Sequence, residues 1–247
     1  MRILAMTEQL IKLWQLSFGD GEEFIRLFFE TAYDPDKCLY LTEDDQITAA
    51  LYWLDCEYRG QKQAYIYAVA THPGHRGKGL CRQLMDKAHT RLTQQGYTAA
   101  LLRPADEGLR RMYEKMGYRT CSTVTEFTCT ASEAVPIRAL SPEEYARIRR
   151  QYLPEGGVIQ EGSSIRYLAA YADLYAGEDF LLAGSFYDGS FVGMELLGNR
   201  QAAPGILGAL GYDSGRFRCP GEDIPFAMYL PLTENAAQPG YLGLVFD

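Results

Sequence analysis

Val69-Ala70-Thr71-His72-Pro73-Gly74-His75-Arg76-Gly77-Lys78-Gly79-Leu80-Cys81 is the stretch on which the reading of this chain turns. Before the loop, Ala64 to Thr71 reads as a buried strand. After it, Leu80, Leu84, Ala88 and Leu92 recur every fourth residue, which places them on one helix face, and Gly96 supplies a C-terminal stop, so the helix spans 79–95. A loop between strand and helix carries glycines at 77 and 79, which let the backbone approach a ligand and turn its N–H groups inward. The helix N-terminus adds about half a positive charge, so the natural guest is a phosphate or diphosphate.

Charge supports this reading. From 58 to 85 no Asp or Glu occurs, while Arg59, Lys62, Arg76, Lys78 and Arg82 do, in a chain with 24 Lys+Arg against 32 Asp+Glu and a net charge of −8. The two familiar nucleotide loops are excluded. Gly79, rather than Ser or Thr, follows Lys78, and Arg82 stands where a dinucleotide fingerprint needs its third glycine.

Working outward, 7–18 and 22–32 carry helical apolar periods separated by Gly19-Asp20-Gly21, and the second run ends before Asp34-Pro35. Cys38–Leu41, Ile47–Leu54 and Ala64–Thr71 follow as an antiparallel meander. The strand 97–102 is expected to run parallel to the one before the helix, because that helix makes the crossover. A short helix over 108–116 and a long β-rich run over 118–130 complete the first half.

The small and polar Ala131-Ser132-Glu133-Ala134-Val135-Pro136 suggests a boundary, giving domains 1–130 and 131–247. The second half repeats the opening: helices over 141–152 and 163–175, a strand over 180–186, a turn at Tyr187-Asp188-Gly189 and a strand over 191–197. After Gly198 the echo fades into glycine- and proline-rich sequence, with two last strands expected over 226–230 and 241–246. The glycine loop has no second copy there.

At 247 residues the chain suits one large or two small domains, and 47% apolar residues supply a core. The net negative charge argues against nucleic acid and anionic membrane as partners. No run approaches the roughly 20 apolar residues a bilayer demands, and no leader segment is evident, so a cytoplasmic location is expected. Six cysteines without a C-x-x-C pair and three histidines without ligand spacing read as reduced thiols and no metal.

The quoted loop resembles the acyl-CoA loop of the GNAT superfamily of N-acetyltransferases, whose pattern Arg/Gln-x-x-Gly-x-Gly/Ala is matched by Arg76, Gly79 and Cys81, with Cys81 departing from the usual Gly or Ala. Leu109 to Tyr118 resembles the late motif of the same family, a tyrosine on a short helix followed by glycine and an aromatic. Asp106 stands where the family often has Asn. The resemblance covers about residues 1 to 130. It implies an α/β fold of the α+β type, a mixed and mostly antiparallel central sheet flanked by helices. A second GNAT-like α/β domain, a degenerate repeat, would shape the acceptor site or an interface.

The implied activity is an acyl-CoA-dependent N-acetyltransferase, in which a primary amine attacks the thioester of acetyl-CoA directly, without metal. Main-chain groups of Val69, Ala70 and Thr71 would bind the pantetheine and polarise the carbonyl. Arg76, Gly77, Lys78, Gly79, Leu80 and Cys81 would cradle the pyrophosphate. Tyr113 would sit near the departing sulfur. A thiol of pKa about 8.5 is a stronger acid than a phenol at about 10, so hydrogen-bond stabilisation of the thiolate is as reasonable as proton donation.

An amine of pKa about 10.4 is mostly protonated at pH 7, a penalty of about 4.6 kcal/mol, which calls for a base or water chain. Glu57, at the end of the preceding strand, is the candidate base, with Asp55 next. The acceptor is expected to be a small-molecule or peptide amine, and a homodimer is compatible with the second half. A non-catalytic acyl-CoA sensor or scaffold, and a phosphate-binding fold unrelated to CoA, are the competing readings.

Overall fold

The computed structural model describes residues 2–246. Its contacts divide the chain into two compact units, Met1–Arg119 with Tyr229–Ala237, and Thr120–Met228 with Gln238–Asp247.

Unit 1 opens with helices α1 (Arg2–Phe18) and α2 (Glu22–Thr31). Leu10, Ile11, Leu13 and Trp14 are buried on α1, as are Ile25 and Phe28 on α2. Glu22 and Glu23 occupy the first turn of α2, where negative charge suits the helix dipole. The meander comprises β1 (Cys38–Glu43), β2 (Gln46–Tyr58) and β3 (Gln61–Thr71), antiparallel throughout. Both of its turns take two residues with positive φ, Asp44-Asp45 at 49° and 59° and Arg59-Gly60 at 51° and 72°, the mirror-image geometry whose twist matches paired strands. Trp14 seats the helices on the sheet, 5.2 Å from the Phe28 ring, 5.6 Å from Tyr52 and 5.4 Å from Tyr67.

Helix α3 (Leu80–Gln94) buries Leu84, Met85, Ala88 and Leu92 and returns the chain to β4 (Ala99–Leu102), which pairs parallel with β3 as the crossover requires. Helix α4 (Glu107–Glu114) starts on Asp106, whose carboxylate accepts from the Leu109 N–H at 2.8 Å. The acid that replaces the family's frequent Asn is therefore the helix cap.

β5 (Arg119–Thr130) leads into unit 2, where β6 (Arg138–Ala139), α5 (Pro142–Tyr152), α6 (Ser163–Tyr171), β7 (Asp173–Ala176), β8 (Phe180–Tyr187), β9 (Ser190–Gly198), α7 (Ala203–Leu210), β10 (Ser214–Pro220) and β11 (Ile224–Pro231) follow. Ser141 and Glu144 close a reciprocal capping box on α5. β6 through β9 pair antiparallel in chain order, β10 runs parallel to β9, and β5 pairs antiparallel with β10. The end of β11 re-enters unit 1, where Gln61 Oε1 accepts from Ala237 N at 2.7 Å and Gln63 Nε2 donates to Ala237 O at 2.7 Å.

A mixed, mostly antiparallel α/β architecture flanked by helices is thus present, with several local differences from expectation. The division between units falls at the start of β5 rather than after its end. The polar stretch read as a linker instead covers α7: Ser132 N donates to Pro204 O at 3.0 Å and Val135 N to Gly205 O at 3.2 Å. The second helix of unit 2 stops at Tyr171, and Asp173–Ala176 is a strand. α7 and β10 lie where no element was expected. Tyr241–Phe246 makes only an isolated parallel bridge, Tyr241 with Gly157, and side chains take the backbone beyond it: Gln160 accepts from Leu244 N at 3.1 Å and donates back to Leu244 O at 2.5 Å, while Ser122 Oγ accepts from Leu242 N at 3.1 Å.

Candidate active site

The site is built by an interruption in β3. Its parallel pairing with β4 is confined to Gln63–Tyr65 against Ala99–Leu101, and from Ile66 onward β3 runs without β4 beside it. Ala68 then adopts φ 48°, and Ala68 and Val69 together oppose a single β2 residue, since Tyr67 pairs with Tyr52 and Ala70 with Ala50. Such a bulge bends and twists the strand locally. Val69 is the second residue of the bulge, and Ala70 and Thr71 lie beyond it, held on one side by β2 through the pairs of Ala70 with Ala50 and Thr71 with Ala49.

The expected loop follows directly. Pro73–His75 forms a single 3-10 turn, and Arg76 Nε donates to Thr71 O at 3.3 Å. Gly77 and Gly79 have φ of 80° and 77°, the left-handed region that side chains disfavour, and a Cβ at either would meet nothing within 4 Å. The loop's outer face is open, and Arg76 and Lys78 are exposed on it. Leu80 and Cys81 form the first turn of α3, so the helix N-terminus ends the cradle. The donor set suits a phosphate group.

Tyr113 is buried on α4, with its ring 5.7 Å from that of Tyr118 in an edge-on contact. Burial, and then the neighbouring Cys81, push the Tyr113 hydroxyl well above the usual phenol range. Burial likewise pushes the Cys81 thiol up, which makes it a packing group rather than a reactive thiolate.

Glu57, the candidate base, lies at the end of the β2–β3 hairpin away from the loop. It pairs with Lys62 beside the Arg59-Gly60 turn, eight residues along β2 from the Ala49–Thr71 pair, or about 26 Å at strand rise. The end of a strand in sequence is, for an antiparallel hairpin, the end away from the loop. Asp55 fares no better. Burial alone would raise its carboxyl, but the Lys37 ammonium at 2.8 Å and the Tyr97 hydroxyl outweigh that and hold it below the ordinary range, making it a poor proton acceptor.

Sequence reasoning missed Glu43. The last residue of β1, it places Oε2 2.9 Å from His75 Nδ1 and 3.8 Å from Lys78 Nζ. Thr48 O accepts from His72 N at 2.8 Å, so the β1–β2 turn and the glycine loop share one end of the sheet. The 58–85 segment is free of acid in sequence and acquires one in space; only the hairpin register could have foretold it. Among the described residues no group of His, Cys, Asp or Glu is arranged to hold a metal ion, and no helix is long and apolar enough to cross a membrane.

Comparison with known proteins agrees with this architecture. Residues 5–121 match a family model described as an acetyltransferase (GNAT) domain. No curated protein sequence is similar enough to count as a relative. Among solved structures, a GCN5-related N-acetyltransferase from Kribbella flavida superposes with TM-score 0.67 at 19% identity, covering 92% of this chain and 69% of that one. Another from Anabaena variabilis ATCC 29413 gives TM-score 0.68 at 14% identity, covering 92% and 70%. A tandem GNAT protein from the clavulanic acid biosynthesis pathway gives 0.56 at 12% identity, covering 93% and 95%. At such identities the likeness is one of fold. The family match spans the residues that build the bulged strand and the glycine loop, so residues 5–121 are similar to an acetyltransferase (GNAT) domain, and the solved structures share that fold.

Proposed function

We propose that the protein is an acyl-CoA-dependent N-acetyltransferase that moves the acetyl group of acetyl-CoA to a primary amine by direct attack. The observation that carries this reading is the order of features along β3: three residues paired with β4, a bulge at Ala68-Val69, then Ala70 and Thr71 leading into an open loop with two left-handed glycines. A thioester carrier has that same sequence of parts, an acyl end, an amide-bearing arm and a diphosphate. Backbone groups of Val69, Ala70 and Thr71 bind the arm and polarise the thioester carbonyl, and Gly77 to Cys81, with Arg76 and Lys78, hold the diphosphate.

Tyr113 donates a hydrogen bond to the leaving sulfur. Its raised pKa makes full proton transfer to a thiolate more unfavourable than for a free phenol, so it stabilises the anion while the proton comes from the substrate ammonium. The second unit serves acceptor recognition, and a small molecule or peptide amine is the acceptor class.

Calorimetry with CoA and acetyl-CoA, followed by thiol release over a panel of amines, tests the proposal. Micromolar binding with amine-dependent release is expected. Binding without release across the panel would leave a sensor, and absence of binding would remove the proposal altogether.

A further inference from the structure

The glycine loop is not an unopposed basic surface, because Glu43 reaches it from another strand. His75 Nδ1 lies 2.9 Å from Glu43 Oε2 and 3.4 Å from Lys78 Nζ. A carboxylate only accepts and an ammonium only donates, so Nδ1 can serve one of them. The shorter approach requires a proton on Nδ1, donated to Glu43, and Lys78 then faces the same carboxylate at 3.8 Å. Glu43 is therefore the common partner of His75 and Lys78. It is fixed in place by the Asp44-Asp45 turn, whose φ values of 49° and 59° return β1 into β2 within two residues.

We propose that Glu43 is a selectivity residue for the anion site: its carboxylate occupies the loop's basic side chains in the free protein, and a ligand binds by displacing it. This rests on the cradle assigned above. Glu43 and Lys78 are each more than half exposed, so their pair is weak and separable. A diphosphate, with at least two charges and several acceptor oxygens, regains more than the carboxylate gives up. A lone monoanion merely exchanges one charge for another and gains little. The device thus favours a polyanionic carrier over the small anions that would otherwise crowd a basic turn.

The test measures CoA affinity by calorimetry for the full chain, for Glu43→Gln and for Asp45→Asn. The second variant removes one negative charge on the same turn, from a side chain with no contact to the loop among the described interactions. Glu43→Gln should bind CoA about three- to five-fold tighter, with the gain narrowing at about 1 M salt, while Asp45→Asn changes affinity by less than half as much. Equal gains in both variants would mean a general field effect and overturn the proposal. So would unchanged or weaker binding by Glu43→Gln, which would make the carboxylate a support of the loop. Wild-type binding with no gain sinks this inference alone, whereas no CoA binding in any of the three proteins removes the cradle as well.

Discussion

The two units repeat one order of elements and fill its central slot in opposite ways. In each, two helices and a three-stranded meander are followed by a helix and a strand parallel to the third strand of the meander. In each, that parallel pairing lasts three residues, Gln63–Tyr65 with β4 and Phe191–Gly193 with β10, and a bulge follows. Beyond the bulge in unit 1 come Ala70, Thr71 and the open loop. Beyond it in unit 2 comes Glu195, fully buried, gripped by Arg149 Nε at 2.7 Å and Nη2 at 2.8 Å and accepting from Tyr145 and Tyr241 hydroxyls at 3.0 and 3.1 Å. The C-terminal stretch lies on it so closely that a Cβ at Gly243 would fall 1.7 Å from Glu195 Oε1.

The loops diverge as sharply. Residues 72–79 of unit 1 carry Arg76 and Lys78 into solvent, whereas 199–202 lead into α7, Ala-Pro-Gly-Ile-Leu-Gly-Ala-Leu, which has no charge at all. A Cβ at Gly208 would stand 2.1 Å from the Ser132 carbonyl, so the covering segment touches helix backbone. The space beyond the bulge stays open only where the chain refrains from filling it.

The largest expected effect tests the filled slot. Removing one partner of a buried ion pair strands the other charge, at a cost of about 3–5 kcal/mol. Glu195→Gln should therefore lower unfolding stability in urea by that order. A loss below about 1 kcal/mol would mean that the slot of unit 2 is looser than its hydrogen bonds imply.

The contrast was half legible in the sequence. The glycine loop, its flanking strand and helix, and the first meander followed from short-range signals: apolar period, glycine positions and turn residues. The repeat was visible as far as Gly198 and then lost, because α7 is apolar on every side and gives no helical periodicity, and because β10 is short and broken by glycine and proline. Tyr241–Phe246 has the composition of a strand, yet Leu242 and Leu244 take their backbone partners from the side chains of Ser122 and Gln160, which no local pattern encodes. The distances of Glu57 and Glu43 from the loop have one cause. Proximity to the loop depends on hairpin register, and register is a long-range property.

In the open slot, the next effect belongs to Tyr113→Phe, which removes the hydrogen bond proposed to the departing sulfur. Turnover should fall about 100-fold with CoA affinity nearly unchanged, since the bond strengthens only as charge develops. Equal losses in both quantities would assign Tyr113 to packing. Smaller still, Arg76→Ala with Lys78→Ala should weaken CoA binding about ten-fold and flatten its salt dependence. The same paired change in an exposed basic pair of unit 2, Arg200→Ala with Arg216→Ala, should leave both properties unaltered if the second slot is truly closed.

The smallest effect separates the units by pH. All three histidines, His72, His75 and His89, lie in unit 1. His89 is mostly buried on α3, with Nε2 2.8 Å from the Tyr118 hydroxyl, and burial depresses its pKa below the usual 6.5 while nearby Asp86 offsets part of that shift. The unfolded chain therefore takes up a proton first as pH falls through about 6.5, and the folded protein loses stability from there until His89 itself titrates, below which the loss is constant. His89→Gln retains a hydrogen-bonding group for Tyr118 but does not titrate. Its melting temperature should match the wild type at pH 8 within about 2 °C and decline less between pH 6.5 and 5. Identical slopes in the two proteins would show that the proton is taken up elsewhere. Because unit 2 has no histidine, the loss in this window should appear in amide exchange of α3 and of Tyr118 before it appears around Glu195.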